Sequence, residues 1–240
     1  MQQRPRSHVP RALVILGAAL FALQLGWRSH EGLPRPQTHI LAAPPSAVLI
    51  RFASLDEPIA AAGLLALRLQ AFDNQPGISL PFTNLDYGVL VLWLARLLEL
   101  DNASHYPLLM ASHMYSQTPD ITRRKQMLDF VYREFFSDPN TRWPYLAHAA
   151  LIAKHELKDL PLALQYARAI QQKARGPEVP HWAQEMPIFI LEDMGQLEAA
   201  KIELGALLAT GSIRDPQESH FLSERYLDLQ NRLSKPRQAR

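Results

Sequence analysis

The chain has 240 residues, 48% of them hydrophobic and 20% charged, which suits a chain that buries a core and excludes a disordered one. Lys+Arg 25 against Asp+Glu 23 leaves a net charge of +2, too small for a nucleic-acid-binding face over the whole chain. Without a single cysteine there are no disulfides, thiolate metal sites, cysteine nucleophile or lipoprotein acylation site. Leu and Ala total 69 residues against 25 for Val, Ile and Thr, and that balance predicts an all-α fold.

Residues 1–11 form a basic N-terminal tail carrying Arg4, Arg6 and Arg11. Ala12 to Trp27 is an uncharged apolar run closed by Arg28. Sixteen residues of helix cover about 24 Å, short of a ~30 Å hydrocarbon core. Snorkelling Arg11 and Arg28 and an interfacial Trp27 make up the difference. No small residues stand at alternate positions after the run, so an uncleaved transmembrane anchor over 12–27 is favoured over a signal peptide. The arginines ahead of it predict a cytoplasmic N-terminus and a periplasmic body on a bacterial inner membrane.

Residues 28–46, with Pro34, Pro36, Pro44 and Pro45, read as an extended linker. From 47 to 233 about nine short helices are expected. Ser54 to Glu57 reads as a capping box opening the first, which runs to about Phe72. Residues 74–85 read as a long loop of functional interest. A helix from Asp86 to Leu100 is apolar nearly all round and therefore central, with Trp93 in the core. His105–Gln117 and a helix after Thr118-Pro119-Asp120, broken at Asp138-Pro139, come next. Trp143–Leu157, Asp159–Arg175, His181–Met194, Gln196–Thr210 and a last helix from Asp215 to about Leu233 follow. Gly211 closes the penultimate helix, and 234–240 is a basic tail with Lys235, Arg237 and Arg240.

Equal short helices in series suggest a repeat. Asp86-Tyr87 is similar to the Asp-aromatic turn of the tetratricopeptide repeat family, and Leu98-Glu99-Leu100-Asp101 to its closing motif. Leu108, Ser112, Tyr115, Trp143 and Ala147 suit its consensus positions. Lys158-Asp159-Leu160 with Ala163 and Gly195-Gln196-Leu197 with Ala200 look like two further turn signals. Asn102 and Arg124 depart from the pattern, standing where Pro and Ala are expected. The chain thus resembles, over roughly 86–210, a degenerate tetratricopeptide-like solenoid, and more loosely bacterial membrane-anchored proteins of that kind.

The resemblance implies a groove lined by the first helix of each hairpin. His113 and His148 fall on the same groove-facing register position, with Gln117, Glu185 and Glu192 nearby. These five are the candidate partner-binding residues. One helix spacing, roughly 10 Å, would separate side chains one hairpin apart. His148 and His155 share a helix face but lack a third metal ligand, so no metal and no cofactor are expected. No phosphate-binding, metalloprotease or nucleophile-elbow motif occurs. The expected function is a membrane-tethered scaffold or assembly factor that binds a protein of the cell envelope, with the membrane contacted through 12–27. The alternative is an envelope enzyme acting on cell-wall or peptide substrates through a carboxylate acid, Glu185 or Glu192. Burial of either carboxylate in a deep pocket facing a second polar group would favour that alternative, and an open, shallow groove the scaffold.

Overall fold

The computed structural model describes residues 10–30, 39–75, 77–209, 213 and 215–234. Arg4, Arg6, Pro34, Pro36, Gly211 and the basic residues after 234 lie outside them. The chain divides into two compact units, one of 1–40 with 71–81 and one of 41–70 with 82–240.

In the first unit, α1 (Arg11–His30) is a 20-residue helix with no buried residue. It is the one described helix long and apolar enough to cross a membrane. At 1.5 Å per residue it measures about 30 Å, because the flanking residues Arg28 to His30 continue the helix beyond the apolar run. The expected loop at 74–85 is partly ordered. A 3₁₀ turn at Ala71–Asp73 leads into a minimal hairpin of β1 (Asn74–Gln75) and β2 (Ile78–Ser79). Gly77 sits in its turn at φ 77°. Gln75 copies a strand partner: its Oε1 accepts from His39 N at 2.7 Å and its Nε2 donates to His39 O at 3.0 Å.

The second unit is helical throughout. Its helices are α2 (Ala47–Ala53), α3 (Pro58–Gln70), α4 (Tyr87–Leu100), α5 (Tyr106–Leu109), α6 (Ile121–Phe135), α7 (Pro139–His155), α8 (Leu160–Lys173), α9 (His181–Asp193), α10 (Leu197–Ala209) and α11 (Pro216–Ser234). From α6 to α11 each helix packs on the next, and α4 also packs on α6. Asp86, Asp120 and Asp159 cap α4, α6 and α8 by accepting from backbone N–H groups of the first turn, satisfying donors a helix start leaves free.

Ser54 is not the start of a capping box. It ends α2, and its hydroxyl donates to Arg51 O at 3.1 Å. Leu55 and Asp56 then turn in the left-handed region, at φ 52° and 64°, and α3 begins only at Pro58. The apolar residues 47–53 therefore form a separate short helix rather than a lead-in.

Trp93 is 5% exposed and donates its indole N–H to Ala42 O at 2.8 Å, tying the segment ahead of α2 to α4. Leu90, Leu94, Leu97 and Leu98 are buried around it. On α6 the residues Met127, Leu128, Val131 and Phe135, spaced by one, three and four, are buried.

The turns α7–α8 and α9–α10 are alike. Lys158 (φ 54°) and Gly195 (φ 72°) each occupy a left-handed position one residue before Asp159 and Gln196. No atom lies within 4 Å of a Cβ built on Gly195, so it is the dihedral rather than space that asks for glycine there. The small residues Ser112, Ala147, Ala163 and Ala200 are all buried. A side chain lacking atoms beyond Cβ or Oγ lets the neighbouring helix approach.

Candidate functional site

The helix expected over 105–117 is not regular. After one α turn, Met110–Tyr115 widens into a π-helix. Two serines bond backward: Ser112 Oγ donates to Leu108 O at 2.8 Å and Ser116 Oγ to Ser112 O at 2.6 Å. Such bonds compete with the regular ladder, and π turns of this kind often occur at functional positions. The wide turn presents His113 outward.

His113 lies flat on His148 of α7. Their ring centroids are 3.8 Å apart and the planes 9° from parallel. The separation is well under a helix spacing because both side chains reach across the gap between their helices. Tyr145, one turn before His148, sets its ring edge-on to His113 at 6.5 Å and tilted against His105 at 5.9 Å. Three imidazoles and a phenol thus share one face of the second unit. His105 and His113 are exposed and His148 is half-buried.

Ser112 Oγ donates to Leu108 O at 2.8 Å and lies 2.7 Å from His113 Nδ1, an arrangement that is satisfied when Nδ1 carries the proton and Nε2 the lone pair. His148 Nε2 is buried without a hydrogen-bond partner. Burial lowers the pKa of both rings, and in His148 repulsion from His113 lowers it further while Glu156 opposes. The lowered values favour uncharged rings at neutral pH.

Gln117 is exposed just past the π turn. Next to it Arg124 donates to Ser116 O at 3.0 Å and Thr118 O at 2.7 Å and pairs with Glu156 at 3.1 Å. The arginine standing where a repeat would carry alanine thereby closes the α5–α6 connection.

Glu185 and Glu192 of α9 do not stand on an open face: they are 4% and 8% exposed. Glu192 accepts from Arg225 Nε and Nη2 of α11, at 3.0 and 2.7 Å, and from Arg232 at 3.4 Å. It is a structural anchor for the last helix. Glu185 Oε1 has no hydrogen-bond partner. Burial, with the charge and hydrogen bond of Glu218 on α11, pushes its pKa up to about 7. A buried carboxyl beside a second one is the arrangement expected of an acid catalyst.

Nothing in the sequence pointed to Arg142, a guanidinium only 2% exposed near the start of α7. It donates to Glu134 O at 2.7 Å and to both Asn102 O and Asn102 Oδ1 at 2.8 Å, and meets the Glu134 carboxylate at 3.3 Å. Asn102, which stands where the repeat pattern expects proline, is therefore a ligand of this clamp. No group of three metal-ligating side chains occurs among the described residues. No family model, curated protein or solved structure matches the chain.

Proposed function

We propose that the protein is a membrane-tethered helical-repeat scaffold or assembly factor that docks a second envelope protein. In this reading α1 is a single-pass anchor, its N-terminus cytoplasmic, and the body is a tetratricopeptide-like solenoid in the periplasm. The observation that carries it is the His113–His148 stack. Residues 35 positions apart (113 to 148), on the π turn after α5 and on α7, converge on one face. The matched left-handed turns at Lys158 and Gly195 support the same repeat logic. Repeat arrays commonly use such faces to hold an extended or helical segment of a partner.

The test is recovery of partner from detergent extract with tagged full-length protein. The change Gln117→Glu touches an exposed side chain outside the His113–His148 stack and should leave the melting temperature within a few degrees. It should reduce recovery of specific partners at least tenfold. Unchanged recovery would reject this face.

A second reading, an envelope enzyme with Glu185 as acid, is favoured by the Glu185–Glu218 pair alone. It requires that full-length protein cleave purified cell wall or envelope peptides and that Glu185→Gln abolish the cleavage.

A further inference from the structure

The first two helices of the second unit are apolar on the wrong side. Their inner residues Ala47, Ile50 and Ala62, with Leu100 of α4, form a small cluster of their own. Beyond that cluster the two helices show Val48, Leu49, Phe52, Leu55, Ile59, Leu64 and Leu67 to solvent, with Ile59, Leu64 and Leu67 lining an open groove shared with Leu97, Tyr106 and Pro107. Among described residues beyond 40, these are seven of sixteen exposed large apolar side chains, gathered into twenty positions. Phe52 is 81% and Leu55 90% exposed. A helix pair apolar on both sides needs a cover, since soluble surfaces rarely carry so concentrated a patch.

Leu55 adds a second observation. It is a branched residue held at φ 52°, where only glycine rests without cost. The left-handed turn closes the end of α2, with Asp56 N–H donating to Arg51 O at 2.9 Å, and leaves the Leu55 side chain almost wholly exposed. The turn carries backbone strain and displays a leucine at the tip between α2 and α3.

The chain itself indicates what lies nearby. α1 ends at His30, and Leu41 is already buried in the second unit. Ten residues (31 to 40) separate them, which span at most about 35 Å when fully extended. Any membrane crossed by α1 is therefore within short reach of the start of α2. The stretch 47–70 carries Arg51 and Arg68 against Asp56 and Glu57, so it has no net charge to select an oppositely charged protein. Exposed Arg68 suits the headgroup boundary, while Arg51 donates to Glu99 O of α4 at 3.3 Å.

We propose that the outer face of α2–α3 rests in the interfacial layer of the bilayer that α1 crosses, with Phe52, Leu55, Leu64 and Leu67 in the acyl boundary. The protein then holds the membrane twice, once across it and once along it. Two contacts on a short tether act together, so a weak interfacial affinity suffices. This proposal rests on α1 being a membrane anchor and not on any partner.

The absence of native cysteine makes the test direct. Full-length protein bearing one spin-labelled cysteine, by Leu55→Cys, Leu64→Cys, Leu20→Cys or Ile202→Cys, is placed in phosphatidylcholine nanodiscs. Collision with oxygen, which concentrates in lipid, is compared with collision with a water-soluble nickel chelate. All four positions are exposed, so labelling spares the fold. Labels at 55 and 64 should favour oxygen at least threefold over the label at 202, as the label at 20 in α1 does. Water-like labels at 55 and 64 with a lipid-like label at 20 would overturn this proposal and leave the anchor standing. A water-like label at 20 would overturn both. Labels at 55 and 64 shielded from both colliders, with dipolar broadening, would overturn it in favour of a second copy of the chain.

Discussion

The imidazole rings of His113 and His148 stack 3.8 Å apart and 9° from parallel. Each ring excludes water from the other, and protonating one places a charge beside its neighbour. Both pKa values are accordingly lowered by burial. The unfolded chain protonates these histidines near pH 6.5 while the native state resists. Their contribution is complete above that value and is lost as pH falls through the native pKa values. His148→Phe keeps an aromatic ring in the stack and removes the titration. The melting temperature of wild type minus that of the variant should fall between pH 7.5 and 5. A constant difference would show that the stack is not carried by neutral rings.

Glu185 works in the opposite sense. Its native pKa is pushed up to about 7, against an ordinary value of 4.5. The protonated form is favoured in the fold, so its contribution is complete below about pH 4.5 and is lost as pH rises to 7. Glu185→Gln should raise stability by about 2 kcal/mol at pH 8 and change it little at pH 5, given about 1.4 kcal/mol for each tenfold change in proton affinity and partial screening. Denaturant titrations at the two pH values check this. Equal effects at both would mean that the carboxyl is hydrated.

Arg225 and Arg232 hold the buried carboxylate of Glu192 from α11. Arg225→Met leaves that charge with only the longer contact from Arg232. The cost should be about 2–3 kcal/mol, below the roughly 3–5 expected for a fully buried pair because both arginines are part-exposed. Chemical denaturation of the variant measures it. A loss under about 0.5 kcal/mol, the size of an ordinary surface change, would mean that α11 is held by its buried apolar residues Leu222 and Leu229 alone.

Arg142 gathers Glu134, Ser137 and Asn102 around one guanidinium. Lysine offers a point charge rather than a fork. Arg142→Lys should cost about 2 kcal/mol and raise hydrogen exchange at residues 101–105, where Asn102 loses two bonds. Exchange unchanged at those amides would contradict the clamp.

The helices were legible where local chemistry decides them. Asp86, Asp120 and Asp159 stand where a cap is needed, and Leu90 to Leu98 repeat on a helical period. Ser54-Leu55-Asp56-Glu57 misled because the same letters can close one helix as well as open another. The left-handed Leu55 that chooses between them is a tertiary outcome. The π turn at 110–115 was hidden because serine back-bonding leaves no spacing signature. Of the five candidate groove residues, the register brought His113 and His148 together. It misplaced Glu185 and Glu192, because burial of a glutamate depends on Arg225 and Glu218, more than thirty positions downstream. Arg142 was invisible for the same reason: its partners lie up to forty residues away.

The central proposal is that the face formed by His113 and His148, with exposed Gln117 four residues after His113, holds a protein partner. A photo-crosslinking amino acid at Gln117, in full-length protein in native membranes, tests it most directly. The account predicts one adduct of defined added mass from position 117, lost with His113→Glu, and none from the exposed position Phe221 on α11. No adduct from 117, or the same adduct from both positions, would contradict it.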